Sequence, residues 1–188
     1  MESYHPTVWR TCRVLANTGR IKCLKVVLEQ PGRTVCEIAA CVRIAENLAS
    51  EHLRALQARG LIQACRKSRW VHYAPVPDPL VPSARPLLTA LRQTLLTEKK
   101  TEPEIIHTLT AFTHPRRLAI LRYLQKVGYA SADDIAAATR ISLPALSRHL
   151  SKLTARRLAS CEDHRWQLTP RFGRLEKTLL SLLVSGKG

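Results

Sequence analysis

The chain repeats itself, and this internal repeat constrains the fold more than any other feature of the sequence. Residues 20–65 align with residues 117–162 at a constant offset of 97, without a gap, and fourteen of the 46 aligned positions are identical. The longest shared segments are Ile38-Ala39-Ala40 with Ile135-Ala136-Ala137, Arg43-Ile44 with Arg140-Ile141, and His52-Leu53 with His149-Leu150. Self-similarity at a fixed period indicates one structural unit used twice. We therefore predict two modules, residues 1–100 and residues 101–188.

Three capping boxes mark where helices are predicted to begin. Each has a serine or threonine followed three residues later by an acidic residue, so that the two side chains satisfy backbone N–H groups at a helix start. The boxes are Thr34–Glu37, Thr101–Glu104 and Ser131–Asp134. Ser142 is also expected to cap a helix, and the leucines at 143, 146, 150 and 153 are predicted to form its buried stripe. This helix, ending near residue 157, is the candidate recognition helix of the second module.

Each module is predicted to end in a β-hairpin and a closing helix. The hairpin strands are assigned to residues 61–65 and 70–74 in the first module, and to residues 158–161 and 166–168 in the second. The closing helices are assigned to residues 86–99 and 173–183. The proline-rich residues 75–86 cannot be helical and are expected to form an extended strap. The order predicts a mainly α fold with small β-hairpins (α+β), organised as tandem winged helix-turn-helix domains.

The charge of the chain points to an acidic partner. Lys and Arg number 30 against 14 Asp and Glu, which gives a formal charge of +16. A polyanion releases condensed counterions when it docks on such a surface, and this favours nucleic acid as the partner. No stretch approaches the roughly 18 apolar residues that a membrane span needs, and no secretory signal is visible. We expect a cytoplasmic, nucleoid-associated protein with no membrane partner.

The sequence offers little to a metal, a cofactor or a catalytic centre. None of its six cysteines forms a Cys-x-x-Cys pair, and Cys36 and Cys41 stand five residues apart. A thiolate metal site needs several converging ligands, so we predict no metal and read the cysteines as small buried hydrophobes. The chain also lacks a Gly-rich phosphate loop, a His-Glu-x-x-His motif and a nucleophile motif. We therefore predict no cofactor and no enzymatic activity.

Four segments resemble one family of bacterial repressors, the ArsR type. AFTHPRRLAILRYL (111–124) is similar to the family's opening signature, and SLPALSRHLSKL (142–153) to its recognition helix. LQARGLI (56–62) and RWVHY (69–73) resemble its helix exit and second wing strand. The resemblance implies a transcriptional regulator that acts as a repressor. It also implies that the recognition helices enter successive major grooves and that the modules pair through their first and last helices. Family members usually hold one module, so both an internal pseudo-dimer and a homodimer of two chains fit. The Cys-x-Cys motif of the metal-sensing members is missing.

The two candidate recognition helices differ in charge. A helical wheel predicts an outward face, pointing away from the leucines, formed by Pro144, Ala145, Arg148, Ser151, Lys152 and Ala155. Residues 140–157 carry five cations and no acid. Small residues let a helix sink into the major groove, where an arginine can read guanine through two hydrogen bonds. A solvated helix face usually mixes both signs of charge. The second module is therefore predicted to read DNA, while His149, on the flank, is read as mainly structural.

The first module is less suited to contact bases. Its equivalent face carries Asn47, Leu48, Glu51 and Arg54, and residues 43–54 sum to zero charge. A carboxylate in place of Arg148 repels phosphate unless it accepts a hydrogen bond from cytosine. The basic turn from Arg66 to Arg69 is expected to grip phosphate without reading sequence.

The candidate DNA-contacting residues are Ser142, Pro144, Ala145, Ser147, Arg148, Ser151, Lys152, His164 and Arg165 in the second module, and Asn47, Ser50, Arg54, Arg66, Lys67 and Arg69 in the first. The favoured function is sequence-specific binding of double-stranded DNA by a transcriptional regulator. The alternative is a tandem winged-helix protein-interaction module of a larger nucleic-acid-associated complex. Leu48 on an acidic face fits that alternative, and the cationic face of the second module does not.

Overall fold

The computed structural model describes residues 7–185, in which one succession of elements occurs twice. The first set comprises α1 (Val8–Leu15), α2 (Thr18–Glu29), β1 (Arg33–Thr34), α3 (Val35–Val42), α4 (Glu46–Gln57), β2 (Gln63–Lys67), β3 (Trp70–Ala74) and α5 (Ala84–Arg92), which a π-helical segment (Gln93–Thr97) continues. The second comprises α6 (Glu102–Ala111), α7 (Pro115–Val127), β4 (Tyr129–Ala130), α8 (Ala132–Thr139), α9 (Leu143–Ala155), β5 (Ala159–Glu162), β6 (Arg165–Leu168) and α10 (Arg174–Ser185). The prediction of a mainly helical fold with small sheets, built as tandem winged helix-turn-helix units, is confirmed.

All three predicted capping boxes are formed. The Glu37 carboxylate accepts from the backbone N–H of Thr34 at 2.8 Å, and the Asp134 carboxylate accepts from that of Ser131 at 3.2 Å. Thr101 and Glu104 make the same contact at the start of α6. The capping prediction for Ser142 is wrong, because its side chain makes no capping hydrogen bond although it precedes α9. Ser142 is exposed, which leaves its hydroxyl facing solvent.

Each hairpin gains a third strand that the sequence analysis did not include. The sheet orders are β1-β3-β2 and β4-β6-β5, all antiparallel. The added strands, β1 and β4, are two residues long and lie directly before α3 and α8. Their pairing with β3 and β6 ties each hairpin to the start of the first helix of its helix-turn-helix. The wing is thereby fixed relative to the helix that precedes the recognition helix.

The proline-rich strap runs from β3 to α5 as irregular backbone. Helix α5 begins at Ala84, two residues earlier than predicted, because Pro86 falls in its first turn, where the missing N–H costs nothing. The strap packs against Gly60, whose φ of +69° follows the end of α4. The backbone N–H of Asp78 donates to the Gly60 carbonyl at 2.8 Å, and a Cβ on Gly60 would lie 2.9 Å from the Asp78 Cβ. Glycine is therefore required there by both conformation and space.

The helices that flank the two sets pack against one another. Helix α1 contacts α6 and α10, α2 contacts α6, and α5 contacts α10. Buried residues of both sets, among them Leu15, Leu91, Phe112 and Leu179, belong to one continuous hydrophobic cluster. An ion pair between Arg174 and Glu98, at 3.8 Å, lies at the edge of this contact.

The cysteines divide into two groups. Cys12 and Cys23 are fully buried, as expected of small hydrophobes, and burial raises the pKa of both thiols, that of Cys23 to about 11. The same prediction is wrong for four cysteines that are exposed, namely Cys36, Cys41, Cys65 and Cys161. Among residues 7–185, no group of three or more His, Cys, Asp or Glu side chains is arranged to hold a metal ion. None of the helices in that range has both the length and the apolar character that crossing a membrane requires.

Candidate nucleic-acid interface

Helix α9 presents a polar outer face with positive charge and no acid. The exposed candidates on it or directly before it are Ser142, Pro144, Ser147, Arg148, Ser151 and Lys152. The opposite face is buried through Leu146, Leu150 and Leu153, and the helix packs against α7, α8 and β5. The outer face is therefore held in place by a packed inner face, while its long cationic side chains extend into solvent.

Two positions of α9 differ from the helical-wheel prediction. Ala145, placed on the outward face, is only 7% exposed, and Leu143, placed in the buried stripe, is 49% exposed. Leu143 is the first residue of the helix, so no turn of α9 precedes it to bring its side chain against the core. Ala145 is instead buried where α9 packs against α7. The prediction that Ala145 lies on the outward face of α9 is therefore wrong.

Half-buried Arg156 links the end of α9 to α6, and buried Arg117 links α7 to the end of α6. The Arg156 Nε donates to the Thr110 Oγ1 at 2.7 Å. The Arg117 guanidinium, 6% exposed, donates to the carbonyls of Ala111 and Thr110 and to the Thr113 Oγ1, at 2.7–2.8 Å. Arg156 thus helps to fix the helix, and the cations that extend outward from α9 itself are Arg148 and Lys152.

Helix α4, the counterpart in the first set, presents a different surface. Asn47, Leu48, Glu51 and Arg54 are all exposed. The Arg54 guanidinium donates to the hydroxyl of half-buried Ser50 at 2.9 Å. These two candidate DNA-contacting residues are therefore hydrogen-bonded to each other. Glu51 occupies the position of Arg148 and is equally exposed, so the reversal of charge lies on the surface, as the sequence indicated.

Both wings carry exposed cations at their turns. In the first, Arg66, Lys67 and Arg69 are exposed, and the Arg69 guanidinium lies 5.1 Å from the ring centroid of Trp70, itself 50% exposed. In the second, the turn consists of Asp163 and His164, both at positive φ, and is shorter than predicted. Exposed Arg165 lies 4.9 Å from the ring centroid of Tyr129. Such cation–π contacts hold each guanidinium at a fixed place while leaving its donors accessible.

A basic pocket, which the sequence pattern alone does not reveal, lies between the start of α7 and the polar face of α9. It has a volume of about 310 Å³ and is lined by His114, Arg116, Arg117, Ala145, Arg148, His149 and Lys152. The His114 and His149 rings lie 4.8 Å apart between centroids. One feature of the sequence is consistent with this pocket. At the offset of 97, Arg116, Arg148 and Lys152 align with Gly19, Glu51 and Ala55. These three cations are therefore present only in the second copy.

The cations around this pocket depress the basicity of its histidines. Partial burial, together with His114, Arg117, Arg116 and Lys152, lowers the pKa of His149 to about 4. The pKa of His114 is lowered by partial burial and by the same three cations, with a smaller contribution from Arg13 of α1. Both shifts have the same two causes, since an imidazolium is unfavourable where solvent is partly excluded and where positive charge is concentrated.

The chain matches a known family at both copies of the repeat. The family model described as "Bacterial regulatory protein, arsR family" matches residues 17–64 and residues 114–160, which together are just over half of the chain. Each match runs from the N-cap of the second helix, Asn17 or His114, through the helix-turn-helix to the first long strand of the wing. No curated protein and no solved structure shows a significant match to the chain.

Proposed function

The chain belongs to the arsR family of bacterial regulatory proteins, with two copies of the family's DNA-binding domain. From that premise we propose that it is a sequence-specific repressor whose helix α9 reads the major groove of double-stranded DNA. The observation that supports this most directly is the exposed face of α9, which carries Arg148 and Lys152 and no acid. A surface of this kind is attracted to phosphate along its whole length, and an arginine at its centre can discriminate guanine. This role associates the protein with the nucleoid.

The two copies contribute unequally in this proposal. Arg148, near the middle of α9, is the candidate for base contact, while Lys152, one turn later, contacts phosphate. The first copy binds the DNA backbone through Arg66, Lys67 and Arg69 of its wing, and Glu51 weakens base contact by α4. The exposed cations of that wing and the exposed carboxylate of Glu51 support this division.

We further propose that residues 1–100 and 101–188 are two modules that pair within one chain. The contacts of α1 with α6 and of α5 with α10, and the hydrophobic cluster that both modules share, support the pairing. Two paired modules would contact half-sites about 10 bp apart, the spacing of one helical turn. A homodimer of chains would present four modules and protect a longer stretch of DNA, which footprinting on genomic DNA would measure.

Three single substitutions test the proposed division of labour. Arg148→Ala is expected to cost about 1–3 kcal/mol on the preferred sequence and to relax specificity at one base position. Lys152→Ala is expected to weaken all sequences alike and to flatten the salt dependence by about one unit. Glu51→Ala removes a carboxylate from the surface that faces phosphate, so affinity for random duplex should stay the same or rise. Fluorescence anisotropy at two salt concentrations measures all three.

The outcomes separate the proposal from its alternatives. If Glu51→Ala loses as much specific binding as Arg148→Ala, both copies read bases and the unequal roles are wrong. If none of the three variants alters DNA binding, the protein-interaction module becomes the better proposal. That second candidate is favoured by the apolar side chains of Leu48 and Leu143, which are 39% and 49% exposed near the starts of α4 and α9.

A further inference from the structure

The basic pocket between α7 and α9 contains more positive charge than its neighbours balance. Four of its seven lining residues are arginine or lysine, two are histidine, and the seventh is Ala145. Arg117 directs its donors to the end of α6, but no hydrogen bond or ion pair engages the charged ends of Arg116, Arg148 or Lys152 within residues 7–185. Three long cationic side chains therefore converge on one concave site in which no lining side chain of this described region is acidic.

We propose that this pocket binds a single phosphate group, and that the group is a backbone phosphate of the DNA bound by α9. The inference rests on the proposed function for the source of the phosphate. Its chemistry rests on the pocket alone, because guanidinium and ammonium groups are the side chains that bind phosphate most strongly. Arg148 and Lys152 also belong to the exposed face of α9, so a ligand in the pocket lies at the edge of the surface that faces DNA.

The first copy supplies a natural comparison, because the same place in its fold is filled. Gly19 replaces Arg116, and a Cβ on Gly19 would collide with the Nε2 of His52. His52, the counterpart of His149, is only 7% exposed and lies in the space above Gly19. In the second copy, Arg116 occupies the glycine position, and a pocket is open beside it. The same backbone thus holds a closed contact between Gly19 and His52 in one copy and an open cationic pocket in the other.

The two histidines give the pocket a response to its ligand. The Nδ1 of His114 accepts the backbone N–H of Arg116 at 3.1 Å, so the neutral ring carries its proton on Nε2, and a second proton would break this helix cap. The Nδ1 of His149 is buried and has no hydrogen-bond partner in residues 7–185. His149 is therefore the group that can take up a proton without breaking a contact.

Phosphate binding and protonation of His149 should favour each other. The groups facing His149 are His114, Arg116 and Arg117 from α7, with Lys152 from α9, and the only charges among them are positive. A bound phosphate offsets these charges, so the pKa of His149 rises from about 4 when the pocket is occupied. The additional affinity for a phosphodiester, which does not itself titrate near neutrality, should then be fully present below a pH of about 4 and be lost as the pH rises through the raised pKa.

Nuclear magnetic resonance of the histidine side chains tests the pocket in the full-length chain. The protein is titrated with random-sequence duplex DNA, with inorganic phosphate, and with sodium chloride at matched ionic strength. We expect duplex to shift the ring signals of His114 and His149 and to raise the pKa of His149 by one unit or more. His107, exposed on α6 and outside the pocket, should not respond.

The arms of this experiment separate the sources of phosphate. A response to duplex that millimolar inorganic phosphate does not reproduce identifies the DNA backbone as the source. A response to inorganic phosphate alone supports the pocket and assigns it to a free phosphate-bearing molecule. A duplex that binds without shifting either histidine, together with no response to inorganic phosphate, overturns the pocket. A chain that fails to bind any duplex but responds to inorganic phosphate overturns the proposed function and leaves the pocket standing.

Arg116→Ala provides a test by mutation, with Lys126→Ala as its control. Both residues are exposed and lie on α7, but Lys126 is in the last turn, outside the pocket. Loss of one phosphate contact should weaken binding to random duplex up to about eightfold at 0.1 M salt and flatten the logarithmic salt dependence by about 0.9. Lys126→Ala should leave both quantities within twofold. Equal effects of the two variants would show that only total charge matters and would overturn the proposal.

Discussion

Replacing Leu56 by alanine is expected to destabilise both copies together, although Leu56 lies in the first. Leu56 is fully buried in α4, and α4 packs against α1, α2 and α3. Two of these helices, α1 and α2, also contact α6 of the second copy. A cavity at Leu56 therefore lies within a hydrophobic cluster that reaches both copies without being at their contact.

The size of the effect follows from the burial of the side chain. Leu→Ala removes three carbon atoms, and at about 0.8 kcal/mol each their lost transfer contributes about 2.4 kcal/mol. Incomplete collapse of the cavity raises the expected loss of unfolding free energy to about 3–5 kcal/mol. For a chain of this size, each kcal/mol lowers the melting temperature by about 2–4 °C. The expected shift is thus about 6–20 °C, in a single transition.

The assay compares the whole chain with a reporter in the second copy. Circular dichroism follows all helices, and fluorescence of half-buried Trp166 follows the second copy alone in a background with Trp9→Phe and Trp70→Phe. Coincident shifts in both probes are expected. A Trp166 transition that stays in place while the dichroism splits in two would refute the reasoning, because the copies would then unfold independently. Leu80→Ala, at a side chain that is 75% exposed, serves as the control and should change stability by less than about 0.5 kcal/mol.

Two further predictions concern thiols and pH. Four of the six cysteines should react quickly with a thiol reagent in the native protein, and all six should react after unfolding. Cys36 should be the slowest of the four because Glu46 raises its thiol pKa. Rapid reaction of a fifth thiol would contradict the burial of Cys12 and Cys23. Because the pKa of His149 is lowered to about 4 in the folded chain, stability should fall as the pH decreases from about 6.5 toward 4. Urea midpoints at pH 7.5 and pH 5 should differ less in His149→Gln than in the wild type; an unchanged difference would exclude His149 as a source.

The sequence was sufficient to predict the architecture because the repeat and the local signals agree with each other. The capping boxes at Thr34, Thr101 and Ser131 each depend on residues three apart, so no tertiary information is needed to recognise them. The ends of the hairpin strands were predicted to within about two residues, because the signals that mark them are also local in the sequence. The two-residue strands β1 and β4 could not be found in this way, because they exist only through pairing with β3 and β6, some 40 residues away.

The errors on α9 come from treating a helix as isolated. A helical wheel places Leu143 with the other leucines, but it cannot show that the first residue of a helix has no preceding turn to pack over. It also treats Ala145 as a surface residue, although α7 passes close enough to bury it. The basic pocket escaped prediction for a related reason, since His114 and His149 are 35 positions apart and meet only through the packing of α7 on α9.

The two copies are alike on the packed side of helices α4 and α9 and differ in charge on the exposed side. His52 and His149, with the leucines beside them, occupy the packed side of each recognition helix and are identical in both copies. Three of the positions that gain positive charge in the second copy, Arg116, Arg148 and Lys152, are exposed, so changing them disturbs no core contact. One backbone can therefore carry a cationic surface in one copy and a neutral surface in the other at little cost in stability. Because the two modules are fused, this inequality is fixed within every chain, whereas a dimer of identical single modules would present two equal surfaces. The paired arrangement that we propose would suit an operator with one strong and one weak half-site.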